Sequence, residues 1–349
     1  MFGSLDGLPF LFGPLHYFYA KFLISPNLKF KKIYWIHFLP FLIHRLYTLH
    51  YLFLPDEELI EIIQGIATEN LPLVSEIFTG IVIFQGIFYM IITLRLLLNY
   101  SKRIKECYSS IEKIDLNWLK VVTLMTFSVW ILVLIVHSMR MTGTQLFAHH
   151  DQIISAATTI LIYSMGYLGF RQVEIFSSTS SISSLPLSVL TNENTGTGIT
   201  DYSKAPISQI DKVNTGKYEK SGLSEEKAKQ HLSELINLME REKPFINSSL
   251  TLQDLSEKLS VSTHNLSEVI NSQLEKSFFD FINQYRVEEV KKALIDPERE
   301  NYTLLAIALE AGFNSKSSFN SIFKKHTDMT PSEYKKSIIE PISQNITDK

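Results

Sequence analysis

The feature that most limits how this chain can fold is the segment 121–139, VVTLMTFSVWILVLIVHSM, which carries no formal charge when His137 is neutral. A helix needs roughly 20 apolar residues to cross the hydrocarbon core of a bilayer, and Trp118 stands just ahead of this one at interface depth. Residues 77–98 form a second such run, with Arg95 close enough to its end to snorkel. A third, 153–170, is uncharged and rich in small residues that suit helix–helix packing. Residues 33–54 are long enough but hold His37, His44, Arg45 and His50, and 8–24 contain Pro9, Pro14 and His16. Five apolar segments in the first half leave too little polar surface to cover them as the core of a soluble protein. The expectation is a transmembrane bundle over 8–170 with about five spans, in contact with membrane lipid.

Lys and Arg concentrate on the cytoplasmic side of such bundles. Lys29, Lys31 and Lys32 lie between the first two segments; Lys102, Arg103, Lys105 and Lys113 lie between the third and fourth, and Arg171 follows the fifth. The opposite side offers Arg140 and an acidic stretch with Asp56, Glu57, Glu58, Glu61 and Glu69. This places the amino terminus outside and the carboxy-terminal half in the cytoplasm, in a multi-pass protein of the cytoplasmic (inner) membrane. The first ten residues lack the basic region and cleavage site of a signal peptide, so the first apolar segment is expected to stay. A charge near mid-span is costly and faces a bundle interior or a cavity. Arg45 and its neighbour His44 are therefore the candidate site for an unknown signal ligand, weighed against simple pairing within the bundle. His149, His150 and Asp151 are assigned to solvent rather than to a metal, the single cysteine, Cys107, excludes a disulfide framework, and no cofactor is expected.

The composition changes abruptly after residue 170. Residues 177–203, SSTSSISSLPLSVLTNENTGTGITDYS, lack helical or strand periodicity, and 171–222 are expected to be a flexible cytoplasmic linker. As a coil, some 50 residues span roughly 40 Å. Such a linker transmits no small helix movement, and signal transfer by bringing two domains together is the expected alternative.

Amphipathic helices resume at 223. Ser224 with Glu225 and Glu226 starts a helix with Leu232, Leu235, Ile236 and Met239 on one face. Two short helices, 252–259 and 263–273, meet at a tight joint, as in a helix-turn-helix. A long helix, 278–294, follows, and the pattern recurs in 304–311, a turn at Gly312 and the segment SKSSFNSIFKKH. Thr330, Pro331 and Glu333 begin a last helix with a capping box. The whole is read as all-α: a polytopic transmembrane helix bundle plus a cytoplasmic domain, 223–340, of two helix-turn-helix units joined by a long helix.

The stretch IALEAGFNSKSSFNSIFKKHTDMTPSEYKK resembles the carboxy-terminal signature of the AraC/XylS-type regulators. Ala308, Gly312, Phe313, Ser315, Ser318, Phe319, Phe323, Lys324, Thr330, Pro331 and Tyr334 fall at that family's spacing, and Asp328 departs from it where a glycine is usual. The stretches LPFLFGPLHYFYAK, HFLPFL, LNWLK and MGYLGFRQ resemble a branch of the family in which a polytopic domain precedes the DNA-binding one. The resemblance implies a non-enzymatic, membrane-bound transcription regulator whose bundle receives a signal. The competing reading is a membrane transporter or anchor with a regulatory DNA-binding tail.

The resemblance further implies that the second helix of each unit enters the major groove of double-stranded DNA. The exposed positions are then His264, Asn265, Ser267, Glu268 and Asn271 in the first unit and Lys316, Ser317, Asn320 and Ser321 in the second. Lys316 suits guanine, Asn265 and Asn271 suit adenine, and Glu268 suits cytosine N4. Ser315, Lys324 and Lys325 are assigned to phosphates. Charge sets a limit: over 224–340, 15 Lys and Arg stand against 19 Asp and Glu, although 316–336 carry five against two. Binding by a single copy is therefore expected to be weak, with dimerisation or several sites supplying the rest.

Overall fold

The computed structural model describes residues 7–26, 28–49, 53–55, 57–58, 60, 73–142, 150–177 and 223–338, and every regular element among them is helical. The chain divides into two compact units. One comprises residues 1–101 and 116–184, the other 102–115 and 185–349.

The first unit begins with α1 (Pro9–Ile24), which has Pro9 in its opening turn, where a missing N–H costs nothing, and Pro14 inside it. A 3-10 segment, Lys32–Phe38, leads into α2 (Leu39–Leu49). The single span expected over 33–54 is thus broken. Pro40 has no N–H to continue a ladder through this point, so a new helix starts there instead, and α2 at about 1.5 Å per residue covers roughly half of a bilayer core. Two long helices follow, α3 (Leu73–Cys107) and α4 (Asn117–Met141), then α5 (His150–Ser177). Among the described residues α3 and α4 are the two helices long and apolar enough to cross a membrane; the apolar stretch of α5, Gln152–Leu168, is shorter. The expected five spans are matched by two. Helix α5 also runs into the predicted linker as far as Ser177, and the rest of that linker lies outside the described residues, as does His149.

Helices α3 and α4 meet where a glycine allows it. A Cβ at Gly86 would stand 2.3 Å from the Trp130 ring, and one at Gly13 of α1 would stand 2.8 Å from Tyr89. Tyr89, Met90, Ile83 and Trp130 form the core of this contact. Among the polar groups beside it, Thr123 and Thr126 donate to the carbonyls of Leu119 and Val122 one turn back, and His16 Nε2 lies 2.9 Å from Thr123 Oγ1. Near the other end of the pair, Arg140 makes a bidentate pair with Glu76 at 2.6 and 2.7 Å.

In the second unit α6 (Glu225–Glu242) packs across α8 (Thr263–Gln273), which follows α7 (Leu252–Leu259). Then come α9 (Phe278–Ile295), α10 (Leu304–Glu310), α11 (Lys316–Thr327) and a last helix, α12, over 331–338. Each start carries its own cap. Ser224, Thr251, Ser262, Ser277, Thr303 and Ser315 accept from the backbone N–H three residues on, Thr251 with Asp254 as a capping box, and Thr330 with Glu333 repeats that box for α12. Two cores result. Leu235, Met239, Leu255, Leu266, Ile270 and Phe281 belong to the first; Val290, Ile307, Ala308, Phe313, Phe319 and Phe323 belong to the second. Helix α9 contributes Ile282 to one and Val287 to the other, so it is the shared wall.

Two glycines generate predictions. Gly86→Ala should destabilise the α3–α4 contact by about 1 to 3 kcal/mol through overpacking, and Trp130→Leu in the same chain should recover much of the loss; melting temperatures in detergent check both. Gly312 has φ +96°, and a Cβ there would meet the Phe245 and Ile246 carbonyl oxygens at 2.5 and 2.7 Å. Gly312→Ala is therefore expected to destabilise the second unit by more than about 2 kcal/mol, read as a lower urea midpoint.

Candidate nucleic-acid interface

The tight joint of the first helix-turn-helix is made by Ser260, the C-cap of α7 at φ 52°, from which the chain reaches the N-cap of α8 in two residues. In the second, Gly312 at φ 96° serves the same purpose between α10 and α11. A side chain at Gly312 has no room because the turn lies against the backbone of Phe245 and Ile246, the segment that leads into the first helix-turn-helix. The second turn is thereby held against the segment that precedes the first helix-turn-helix, in addition to the tie through α9.

The residues predicted to read DNA fall into three groups. On α11, Lys316, Ser317, Asn320, Ser321 and Lys324 are exposed, whereas Phe319, Ile322 and Phe323 are buried, giving one polar face with two cations. Ser315 is the N-cap, its Oγ accepting from Ser318 N–H at 3.1 Å and lying 3.0 Å from Ser317 Oγ. The third cation, Lys325, is already engaged with Asp280 at 2.6 Å. Asp280 is partly buried, which opposes ionisation, but the Lys325 and Ser277 hydrogen bonds and the Lys325 and Lys105 charges hold its carboxyl below the usual range.

On α8 the outcome is more restrictive. His264 is exposed, Asn265 and Ser267 are half-buried, and the Asn271 amide donates back to Ser267 Oγ at 3.2 Å. Glu268, expected to face cytosine, is instead 7% exposed. The correction has a simple cause: α8 is covered by both α6 and α7, so its buried arc is wider than a one-sided amphipathic pattern implies and takes in Glu268 with Val269 and Ile270. In the first unit, His44 is buried against Phe10 and Phe78, at ring distances of 5.3 and 5.0 Å, and Arg45 is half-buried on the short α2 rather than at the middle of a span.

A residue missed in the sequence dominates the centre of the second unit. Arg286 on α9 is 1% exposed. Its Nε donates to the Phe245 carbonyl (2.8 Å), Nη1 to the Ser109 carbonyl (3.1 Å) and Asn283 Oδ1 (3.2 Å), and Nη2 to Ser109 Oγ (3.0 Å) and the Asn247 carbonyl (2.9 Å). Every acceptor is neutral. Burial pulls the guanidinium down to about 10, offset in part by the Glu112 carboxylate, so it stays charged at neutral pH. A signal for it was available: Ile282, Arg286 and Val290 follow at four-residue steps, which places a charge in an apolar stripe.

Comparison with known proteins bears on this unit alone. A family model described as a helix-turn-helix domain matches residues 255–337. An uncharacterized HTH-type transcriptional regulator of Staphylococcus aureus strain COL is 35% identical over 89 residues, which are 26% of this chain and 12% of that protein. The melibiose operon regulatory protein of Escherichia coli K12 is 29% identical over 90 residues, 26% of this chain and 29% of that one. The chain thus matches less than a third of the length of either relative. No solved structure matches the chain significantly. The match falls across both of the capped helix pairs that flank α9, so residues 255–337 are similar to a helix-turn-helix domain in sequence and have two such helix pairs in the fold.

Proposed function

We propose that this protein is a membrane-bound, sequence-specific transcription regulator in which an apolar helical unit receives a signal and the helix-turn-helix unit acts on promoters. The observation that carries the DNA part is the polar face of α11, where Lys316, Ser317, Asn320, Ser321 and Lys324 stand exposed above a buried Phe319 and Phe323. That face has the geometry of a recognition helix, whose first residues meet base edges. The melibiose operon regulatory protein, by its name, controls an operon, and the likeness over 90 residues supports the same class of activity here. The membrane part rests on α3 and α4, each with an uncharged or nearly uncharged core long enough to cross a bilayer.

In this reading Lys316 reads a base and Lys324 neutralises a phosphate, while Lys325, held by Asp280, contributes less. The first unit supplies His264 and Asn265 and fewer contacts than the second. The cytoplasmic membrane is the location, duplex DNA and a second copy of the chain are partners, and the signal is of unknown chemistry. The bundle interior around His44 and Arg45 is where that signal would bind.

Lys316→Ala is expected to lose about 1 to 3 kcal/mol of affinity and to relax preference at one base position, while Lys324→Ala weakens all duplexes alike and lowers the salt slope by roughly one. Lys325→Ala should change that slope less than Lys324→Ala. Selection from a randomised duplex pool followed by salt titration measures all three. Unchanged binding by all three variants overturns the assignment of α11. For the membrane part, reporter fusions at Asn70 and His150 should register outside and fusions at Arg103 and Lys217 in the cytoplasm. An external signal at Lys217 overturns the regulator reading.

A further inference from the structure

Residues 102–115, the end of α3 and the connection to α4, belong to the compact unit that contains the helix-turn-helix domain. Tyr108 forms an isolated antiparallel bridge with Thr251, the N-cap of α7. Ser109 is 1% exposed. Its N–H and Oγ donate to the Leu250 carbonyl at 3.2 and 2.6 Å, its own carbonyl accepts from Asn283 Nδ2 and Arg286 Nη1, both at 3.1 Å, and its Oγ accepts from Arg286 Nη2. One residue on, Ser110 Oγ accepts from Asn314 Nδ2 at 2.7 Å, and Asn314 immediately precedes the N-cap of α11. The connection therefore touches the start of the first helix-turn-helix, the shared helix α9 and the approach to the second recognition helix.

The position of these contacts matters more than their number. A helix-turn-helix puts the N-terminus of its recognition helix against DNA, and helix N-termini with their unpaired N–H groups are where phosphates sit. A polypeptide fixed at Asn314 occupies space beside the N-terminus of the recognition helix α11, and its bridge to Thr251 places it beside the start of α7, the helix that precedes the other recognition helix. The grip is specific: deep burial of Ser109, with hydroxyl and carbonyl both used on one guanidinium, is not the mark of a surface loop resting on a domain.

We propose that the 102–115 connection is an autoinhibitory latch: docked through Tyr108, Ser109 and Ser110, it keeps duplex DNA from the helix-turn-helix unit, and its withdrawal admits DNA. The latch rests on the DNA-binding reading above. It gives the apolar helices a route to the DNA-binding unit that does not run through the 171–222 linker, because α3 and α4 are covalently continuous with the latch itself. Movement of either helix along or about its axis is transmitted to Ser109 within a few residues.

The test uses the full chain in detergent with Cys107→Ser, which removes its one native thiol. Opposed residues of an antiparallel bridge have Cα atoms about 4.5 to 5.5 Å apart, within reach of a disulfide. Tyr108→Cys with Thr251→Cys should therefore cross-link on mild oxidation and lock the latch. Ser109→Ala removes two hydrogen bonds without adding bulk, and Ser109→Leu expels the segment. The probe is a labelled mixed-sequence 30-base-pair duplex at low salt, followed by anisotropy. With the latch closed nine-tenths of the time or more, apparent affinity is reduced roughly tenfold or more. The Ser109→Ala protein, and more so Ser109→Leu where it folds, should bind at least about tenfold tighter than the oxidised double-cysteine protein, with the parent between. An oxidised protein that binds as tightly as Ser109→Ala overturns the latch, as does failure of the two cysteines to cross-link. Loss of binding in every form, reduced and oxidised, overturns the DNA reading itself.

Discussion

The second unit depends on one buried charge. Arg286 lies between the residues that α9 gives to the two hydrophobic cores, and its guanidinium collects carbonyls from the segment before α7, an amide from its own helix and both oxygens of Ser109. Hydrogen bonds to a charged group contribute roughly 1.5 to 3 kcal/mol each, and leaving such a group unpaired in the interior is costlier still. The charge thus holds the pre-α7 segment against α9 through the Phe245 and Asn247 carbonyls, and the 102–115 connection adds the two oxygens of Ser109 to the same set of acceptors. Gly312 completes the arrangement from the other side: its φ of 96° and the carbonyls at under 3 Å from any added Cβ leave the second turn a single place to sit.

The first unit solves a different problem. Its long helices are apolar almost all round, so burial of apolar surface discriminates little between one packing and another. Specificity comes instead from close approach at Gly86 and Gly13, and from a few polar pairs such as Arg140 with Glu76 and His16 with Thr123. On α4 the Thr123, Thr126, Ser128 and Ser138 hydroxyls donate to carbonyls one turn back in their own helix, which pairs each of them without a neighbouring helix.

Charge distribution shapes what the DNA-binding face can do. The domain carries more acid than base overall, and one of the cations of α11 is taken up by Asp280. In the proposed function, non-specific attraction to DNA is accordingly expected to be weak, and occupancy to be sensitive to small changes in accessibility or local concentration. That is a useful property in a regulator, because a contact of modest strength is then enough to decide between bound and free.

Much of the second unit was legible in the sequence. Ser224, Thr251, Ser262, Ser277, Thr303 and Ser315 mark helix starts because a side-chain oxygen meets a free N–H locally, and the recurring pattern around Gly312 marks the second turn because few residues tolerate its conformation. These are short-range constraints, and sequence contains them. In the first unit apolar length was equally plain for α3 and α4, the two helices among the described residues that have the length to cross, whereas at 33–54 a single span was expected because hydropathy does not register how Pro40 divides the segment. Glu268 was misplaced because its burial depends on α6, which comes from elsewhere in the chain. The same holds for the partnership of Arg286 with Ser109, 177 residues apart. A charge in an apolar stripe announces that some acceptor must exist; only the tertiary structure decides which, since any exposed carbonyl could serve and folding alone brings one of them there.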